Sequence, residues 1–263
     1  MGPAGCGKST YTAVMKEHFL VHRKTVRCVN LDPAAEDFKY ECDIDVRELI
    51  SVDDVMEEFG YGPNGALMYC VEYLVENLDW LTEQLDEYGD DEYFLFDCPG
   101  QIELYSHVPV MRYFVEALQR VDIRLCGVYC VDALFMTDAT KLIAGTLAAL
   151  STMMCLELPQ VNLVTKCDLI EEEELESMAE ILDADADELT SRLGEQTHPA
   201  QKAMNAALAS VVDAHSLVRF ITLNPDSEES LDAVWMTVNN CIQFGEDAEP
   251  RCDFDMGEKE EDD

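Results

Sequence analysis

The chain has 263 residues, 48% of them hydrophobic, enough for one large α/β domain that buries its own core without disulfides or structural metals. Its 55 acidic residues against 17 basic ones give a formal charge of -38, a field that repels both phosphate backbones and anionic lipid. Nucleic acid and membrane are thereby excluded as general partners, and basic or neutral proteins are favoured.

A nucleotide is still compatible with that charge, because a local cradle of backbone N–H groups, a lysine and Mg²⁺ outweighs a distant field that salt screens beyond about 8 Å. The first predicted element is such a cradle. Gly2-Pro3-Ala4-Gly5-Cys6-Gly7-Lys8-Ser9 fits G-x-x-x-x-G-K-[ST] and runs into a helical stretch from Thr10 to Phe19. The glycines let the backbone wrap phosphates, Lys8 reaches the outer phosphates, and Ser9 is a Mg²⁺ ligand. Gly5, Cys6, Gly7, Lys8, Ser9 and Thr10 are the predicted phosphate-binding residues. A loop of this kind follows a buried strand, yet only Met1 precedes Gly2. The first strand is therefore expected to be missing, leaving two strand edges open, and Met1 is expected to be an internal methionine of a longer protein.

Apolar, β-rich runs follow at 26–31, 93–96, 126–131, 161–165 and 218–223, separated by helical patterns. This alternation predicts a P-loop α/β fold, a mostly parallel sheet flanked by helices. Between the first two runs, Leu67, Val71, Leu74, Leu78, Leu81 and Leu85 form the stripe of one amphipathic helix, which either packs on the sheet or makes a helix–helix dimer seam. The strand at 93–96 ends in Asp97-Cys98-Pro99-Gly100-Gln101. There the Asp97 carboxylate is placed to hold Mg²⁺ and the Gly100 N–H to meet the γ-phosphate. The apolar stretch 142–155 is too short for a bilayer of roughly 30 Å and reads as a buried helix.

Thr165-Lys166-Cys167-Asp168 follows the strand at 161–165. A carboxylate there accepts hydrogen bonds from guanine N1–H and the N2 amino group while the Lys166 stem lies along the base. Adenine has neither donor and would leave the acceptor unpaired. The segment 168–198 carries twelve acidic residues against one arginine and reads as helical and exposed. Residues 246–263 carry ten against two basic and read as a disordered tail, so the predicted GTPase domain spans 1–245. The last base-contacting loop is expected after the run 218–223, where Asn224-Pro225-Asp226 carries no motif that assigns its residues. Eleven scattered cysteines without a C-x-x-C pair read as reduced thiols of cytosol or nucleus. His18, His22, His107, His198 and His215 read as packing or surface residues.

Together with Asn30-Leu31-Asp32-Pro33-Ala34-Ala35-Glu36, Asp97-Cys98-Pro99-Gly100-Gln101-Ile102-Glu103-Leu104 and the two nucleotide motifs, the turn Gly62-Pro63-Asn64 closely resembles the GPN-loop GTPases, and within them the type 3 branch. The resemblance runs from Met1 to about Gly245. It implies GTP/GDP and Mg²⁺ as cofactors and a dimer in which Gly62, Pro63 and Asn64 reach the partner's nucleotide site, Asn64 stabilising the departing phosphoryl group. It implies Asp32 in the Mg²⁺ shell or at the attacking water, with Gln101 and Glu103 beside it. It also implies pairing with the type 1 paralogue and a role in assembly and nuclear import of RNA polymerase II, in a cytoplasmic protein that shuttles to the nucleus. The same residues also allow a scaffold subunit that holds nucleotide with little turnover. A phosphotransferase using ATP is disfavoured by Thr165 to Asp168.

Overall fold

The structure, a computed structural model, describes residues 1–89, 92–182, 184, 186–196, 201–214 and 218–244. The strands are β1 (Val26–Asn30), β2 (Ile44–Asp45), β3 (Tyr93–Asp97), β4 (Gly127–Asp132), β5 (Gln160–Thr165) and β6 (Phe220–Thr222). The helices are α1 (Lys8–Val21), α2 (Val52–Phe59), α3 (Pro63–Glu76), α4 (Leu78–Leu85), α5 (Glu103–Ser106) and α6 (Val110–Arg120). They continue with α7 (Ala139–Leu156), α8 (Glu172–Leu182), α9 (Ala186–Gln196), α10 (Lys202–Ala214) and α11 (Glu228–Ile242). The five strands expected from the apolar runs are all present, and the two-residue β2 is the addition.

Every strand pair is parallel, in the orders β2-β1-β3 and β4-β5-β6. Both faces are covered, as continuous apolar strands require. Tyr129 and Val131 of β4 and Val164 of β5 pack with Leu142, Ile143 and Leu150 of α7. On the opposite face Cys130, Val161 and Leu163 meet Tyr11, Met15 and Phe19 of α1 and Val234 and Val238 of α11. β1 carries a third cluster, in which Val29 and Leu31 lie with Leu67, Val71 and Leu74 of α3 and Leu118 of α6.

β3 and β4 are not paired with each other. Between them lies a cavity of about 1180 Å³ lined by Tyr93, Phe94, Phe96, Val128, Cys130 and Phe19. Among the described residues no strand fills the space between β3 and β4, as the sequence leads one to expect. Met1 sits at its mouth as a single strand-like residue, its N-terminal ammonium donating to Val128 O (2.8 Å) and its carbonyl accepting from Cys130 N–H (2.9 Å). Along β3, Tyr93 N–H donates to Thr25 O, and Leu31 N–H donates to Asp97 O. The backbone groups of Phe94 and Phe96, which alternate with these, face the cavity.

The leucine stripe forms two helices rather than one. Asn77, with φ -118° and ψ 38°, breaks it: its Nδ2 donates to Tyr73 O (2.8 Å) and its N–H reaches the Tyr73 and Leu74 carbonyls, satisfying the end of α3. Leu67, Val71, Leu74, Leu81 and Leu85 are all buried in the cluster with β1 and α6, so the stripe is core packing and not a dimer seam. α7 is longer than the apolar stretch suggested. Its 18 residues are long and apolar enough to cross a membrane by length and composition, and its inward residues pack against β4, α9 and α10. The acidic segment is helical as expected, but α8 and α9 bury Met178, Ile181, Leu189 and Leu193, which makes them amphipathic rather than solvated all round. The tail 246–263 lies outside the described residues.

Candidate functional site

The loop ahead of α1 is shaped by glycines where only glycine is comfortable. Gly5 (φ 76°) and Gly7 (φ 88°) are left-handed, and Gly7 is the residue from which α1 departs. The first turn of α1 holds no acidic residue, so its positive end is uncompensated. Lys8 Nζ folds back to donate to Pro3 O (3.1 Å), curling its charge over the loop. A hydrogen bond with Cys130 pulls the Cys6 thiol down to about 7, and the nearby Lys8 charge pulls the same way while burial opposes both.

Asp97, at the carboxyl end of β3, is 5% exposed and accepts a hydrogen bond from the Tyr40 hydroxyl at 3.0 Å. Burial, and then the Asp97 charge, holds Tyr40 in its protonated, donating form. Asp32 follows β1 and accepts from Ala34 N–H (3.0 Å). Burial pushes the Asp32 carboxyl up; the Ala34 N–H and Lys8 pull it down, and the Asp97 carboxylate raises it again. Two carboxylates and one lysine thus share one end of the sheet, where β1 and β3 are paired Asn30 to Asp97.

Gly100 lies directly against the phosphate loop. A Cβ there would stand 2.9 Å from Ala4 Cα and 3.2 Å from Ala4 N, contacts with backbone that has nowhere to go. Gly100→Ala is therefore expected to push the two loops apart and to cut GTP affinity by about five- to 150-fold if the overpacking cost of roughly 1–3 kcal/mol falls on the bound state. Titration of the purified variant with GTP, with circular dichroism to confirm folding, checks this.

The Thr165 to Asp168 turn is joined to the loop ahead of α1 by a direct hydrogen bond. Thr165 Oγ1 stands 2.6 Å from Cys6 O and 3.1 Å from Val131 O, so its one proton bridges β5 to the loop and the neighbouring strand. Lys166 adopts φ 61°, a left-handed conformation that turns the end of β5 sharply, and its Nζ pairs with Asp132 at 2.6 Å. The turn exposes Asp168, whose carboxylate has no hydrogen bond or ion pair among the described residues. A pocket of about 240 Å³ lies between Gly7, Thr10, Thr165, Lys166 and Asp168 on one side and Lys39, Leu223 and Pro225 on the other. Lys39, whose Nζ donates to Thr10 Oγ1 at 3.0 Å, carries no motif and sequence reasoning missed it, whereas Leu223 and Pro225 lie where a last base-contacting loop is expected from the sequence, although no motif singles them out.

Gly62 is the N-cap of α3, Pro63 its first residue and Asn64 its second, all exposed. Gln101 Nε2 approaches Asn64 Oδ1 at 3.4 Å, which links the loop to the segment after Asp97. Exposed Phe59, Tyr61 and Ile102 surround it, and Phe59 and Tyr61 continue an aromatic series through Tyr69 to Tyr73. Glu103, at the start of α5, is exposed and its side chain joins neither carboxylate.

Residues 1–244 match the protein family described as "Conserved hypothetical ATP binding protein". The chain is 45% identical over 252 residues to the GPN-loop GTPase 3 of Dictyostelium discoideum, covering 95% of this chain and 88% of that protein. It is 46% identical, with the same coverage, to the GPN-loop GTPase 3 of Xenopus tropicalis. Among solved structures it resembles a GTPase from Pyrococcus abyssi in apo form, with a TM-score of 0.78, 28% identity, and coverage of 92% of this chain and 95% of that one.

Proposed function

Because this chain belongs to the GPN-loop GTPases, binding GTP and GDP and hydrolysing GTP, we propose that it does so with Mg²⁺ and as a dimer whose nucleotide state sets its grip on client proteins. The observation that carries the reading is the 2.6 Å contact from Thr165 Oγ1 to Cys6 O, which holds the base-reading turn and the phosphate loop on one pocket. In this reading the N–H groups of residues Gly5 to Thr10 receive the phosphates and Lys8 leaves Pro3 O for the outer phosphate oxygens. Asp168 accepts from guanine N1–H and N2, with the Lys166 stem along the base. The ATP in the family's description fits this pocket less well, since adenine would leave the Asp168 carboxylate without a donor.

The donor set fits Mg²⁺. The Ser9 hydroxyl and the Asp32 and Asp97 carboxylates are hard oxygen ligands, and among the described residues the side-chain hydrogen bond to buried Asp97 comes from the neutral Tyr40 hydroxyl. When bound, the ion neutralises charge on the outer phosphate oxygens. Gly100 N–H holds the γ-phosphate, and Asp32 with Gln101 orients the attacking water, Glu103 standing farther out. Exposed Phe59, Tyr61 and Ile102 around Gly62, Pro63 and Asn64 support a dimer contact at that loop, because a cluster of exposed aromatics beside a functional segment is costly unless covered. Asn64 would then supply a hydrogen bond to the departing phosphoryl group of the partner. Asn64→Ala is expected to slow hydrolysis roughly 10²–10³-fold while GTP affinity stays nearly unchanged, as measured by phosphate release and nucleotide titration on the same sample.

The resemblance to type 3 members supports pairing with the type 1 paralogue and service in assembly and nuclear import of RNA polymerase II, from a cytoplasmic pool that shuttles to the nucleus. The charge of -38 suits a basic protein client and not nucleic acid or membrane. The deciding experiment titrates GTP, with ATP as control, into the chain in Mg²⁺, alone and with the type 1 paralogue, and follows phosphate release. Guanine-selective binding with release that rises on mixing is the expected result. Selective binding with no release in either sample would leave the nucleotide-holding scaffold as the better description.

A further inference from the structure

Far from the phosphates, the last turns of α1 present a second cluster of ligand-type side chains. His18 lies in the last turn of α1 and His22, four residues on, is its C-cap, and Asp232 of α11 lies across from them. The His18 side chain is only 4% exposed, yet its Nε2 makes no hydrogen bond, although Asp232 Oδ1 is 3.1 Å away. His22 Nε2 is 3.8 Å from the same oxygen. All three ligand atoms lie within 4.8 Å of one another.

A buried imidazole nitrogen within ion-pair range of a carboxylate but out of line for a hydrogen bond leaves its lone-pair direction open to a bridging ligand. The proton bookkeeping on His22 narrows the choice. Its Nδ1 is 3.0 Å from His18 O, an acceptor only, so Nδ1 carries the proton and Nε2 offers its lone pair toward the cluster. A backbone carbonyl holding the distal nitrogen is the usual arrangement behind a metal-bound histidine. We propose that His18 Nε2, His22 Nε2 and the Asp232 carboxylate bind one zinc-class divalent ion that pins the C-terminal end of α1 to α11.

The spacing suits the ion. Tetrahedral zinc with bonds of about 2.0–2.1 Å sets its ligands about 3.3 Å apart, and the two observed nitrogen-to-oxygen separations of 3.1 and 3.8 Å bracket that value. Two imidazoles and one carboxylate favour zinc over magnesium or calcium, which want oxygen. Trp235 walls one side, its ring 5.7 Å from His18 and 5.0 Å from His22 between centroids. His22 and Asp232 are 30% and 42% exposed, which gives the ion an entry path and a water for its fourth position. The ten residues from Lys8 to His18 put the cluster about 15 Å from the phosphate loop at helical rise, so this ion is distinct from the nucleotide's magnesium. Its chemistry is structural: it would hold fast the helix whose other end carries the loop.

The test uses the full chain with zinc alone as probe, in the presence of excess Mg²⁺, and cobalt(II) as a spectroscopic substitute. The expected result is one zinc per chain in equilibrium dialysis, a higher thermal midpoint with zinc, and cobalt bands of a nitrogen- and oxygen-ligated tetrahedral ion. His22→Gln and Asp232→Asn, both at partly exposed positions, should each weaken zinc binding at least about tenfold while the zinc-free thermal midpoint and GTP binding stay close to the parent's. Three outcomes would overturn the proposal: no stoichiometric zinc, zinc binding unaltered in both variants, or a strong sulfur-to-cobalt charge-transfer band placing the ion on cysteines instead.

Discussion

Asp168→Ala is expected to weaken GTP binding by about 10²-fold or more and to leave ATP binding unchanged, erasing most of the preference between the two. Two charge-assisted hydrogen bonds to the base are lost, each worth roughly 1.5–3 kcal/mol. A site built around a buried donor–acceptor match can discriminate by about 10⁴–10⁵, so the loss in selectivity exceeds that of any other single change at the base. The fold should be indifferent to the substitution, because the Asp168 side chain is exposed and has no partner among the described residues. Parallel titrations with GTP and ATP decide it: a variant that still prefers GTP by the parent's margin would remove Asp168 from the base-reading role.

Asp32→Asn is expected to move activity and stability in opposite directions. Burial raises the Asp32 carboxyl above its ordinary value, and the Asp97 charge adds to the effect. Between the ordinary and the raised value the folded state binds more protons than the unfolded one, so stability falls as pH rises through that window. At neutral pH the ionised Asp32 therefore costs the nucleotide-free protein stability, a cost that the isosteric amide removes while its Oδ1 keeps accepting from Ala34 N–H. The thermal midpoint of the variant should be higher than the parent's at pH 7 and should converge with it in acid. With Mg²⁺ and GTP the order is expected to reverse, since a carboxylate proposed as a Mg²⁺ ligand is gone, and hydrolysis should fall roughly 10²–10³-fold. Thermal melts across pH, with and without Mg²⁺ and GTP, test both halves. A variant no more stable than the parent at neutral pH would mean that the two carboxylates do not strain the apo site.

These two residues lay open to inspection in the sequence for different reasons. Asp168 belongs to a contiguous string, Thr165 to Asp168, at the end of an apolar run, so its chemistry is written locally. Asp32 carries meaning only through its resemblance to a family pattern; that it stands within electrostatic reach of Asp97 and Lys8 is a matter of β1 pairing with β3. The leucine stripe shows the limit of periodicity. Its apolar spacing continues through Asn77, but the side chain of that one residue competes for the backbone and ends the helix. For the far wall of the pocket beside Asp168 the place was legible, after the run 218–223, but the residues were not: Leu223 and Pro225 are ordinary residues of a strand end and a turn, and only their position marks them. His18 and His22 did carry a signal, a four-residue spacing on a helix, but such pairs are common and the third ligand, Asp232, sits on the last helix.

The sequence by itself determined the glycine-rich loop ahead of α1, the alternating strand and helix order, the parallel sheet and the place of the Thr165 to Asp168 turn at the end of a strand. Each depends on neighbours within a few residues, where backbone propensity, hydrophobic period and side-chain chemistry act directly. Tertiary structure alone decided that Thr165 bonds to Cys6, that Tyr40 hydrogen-bonds to Asp97, that Lys39 and Pro225 line the pocket beside Asp168, and that His18 and the C-cap His22 of α1 meet an aspartate of α11. Those contacts join residues far apart in the chain, and they form because burying both faces of the sheet brings its carboxyl end and its flanking helices together, a global packing outcome that no local pattern encodes.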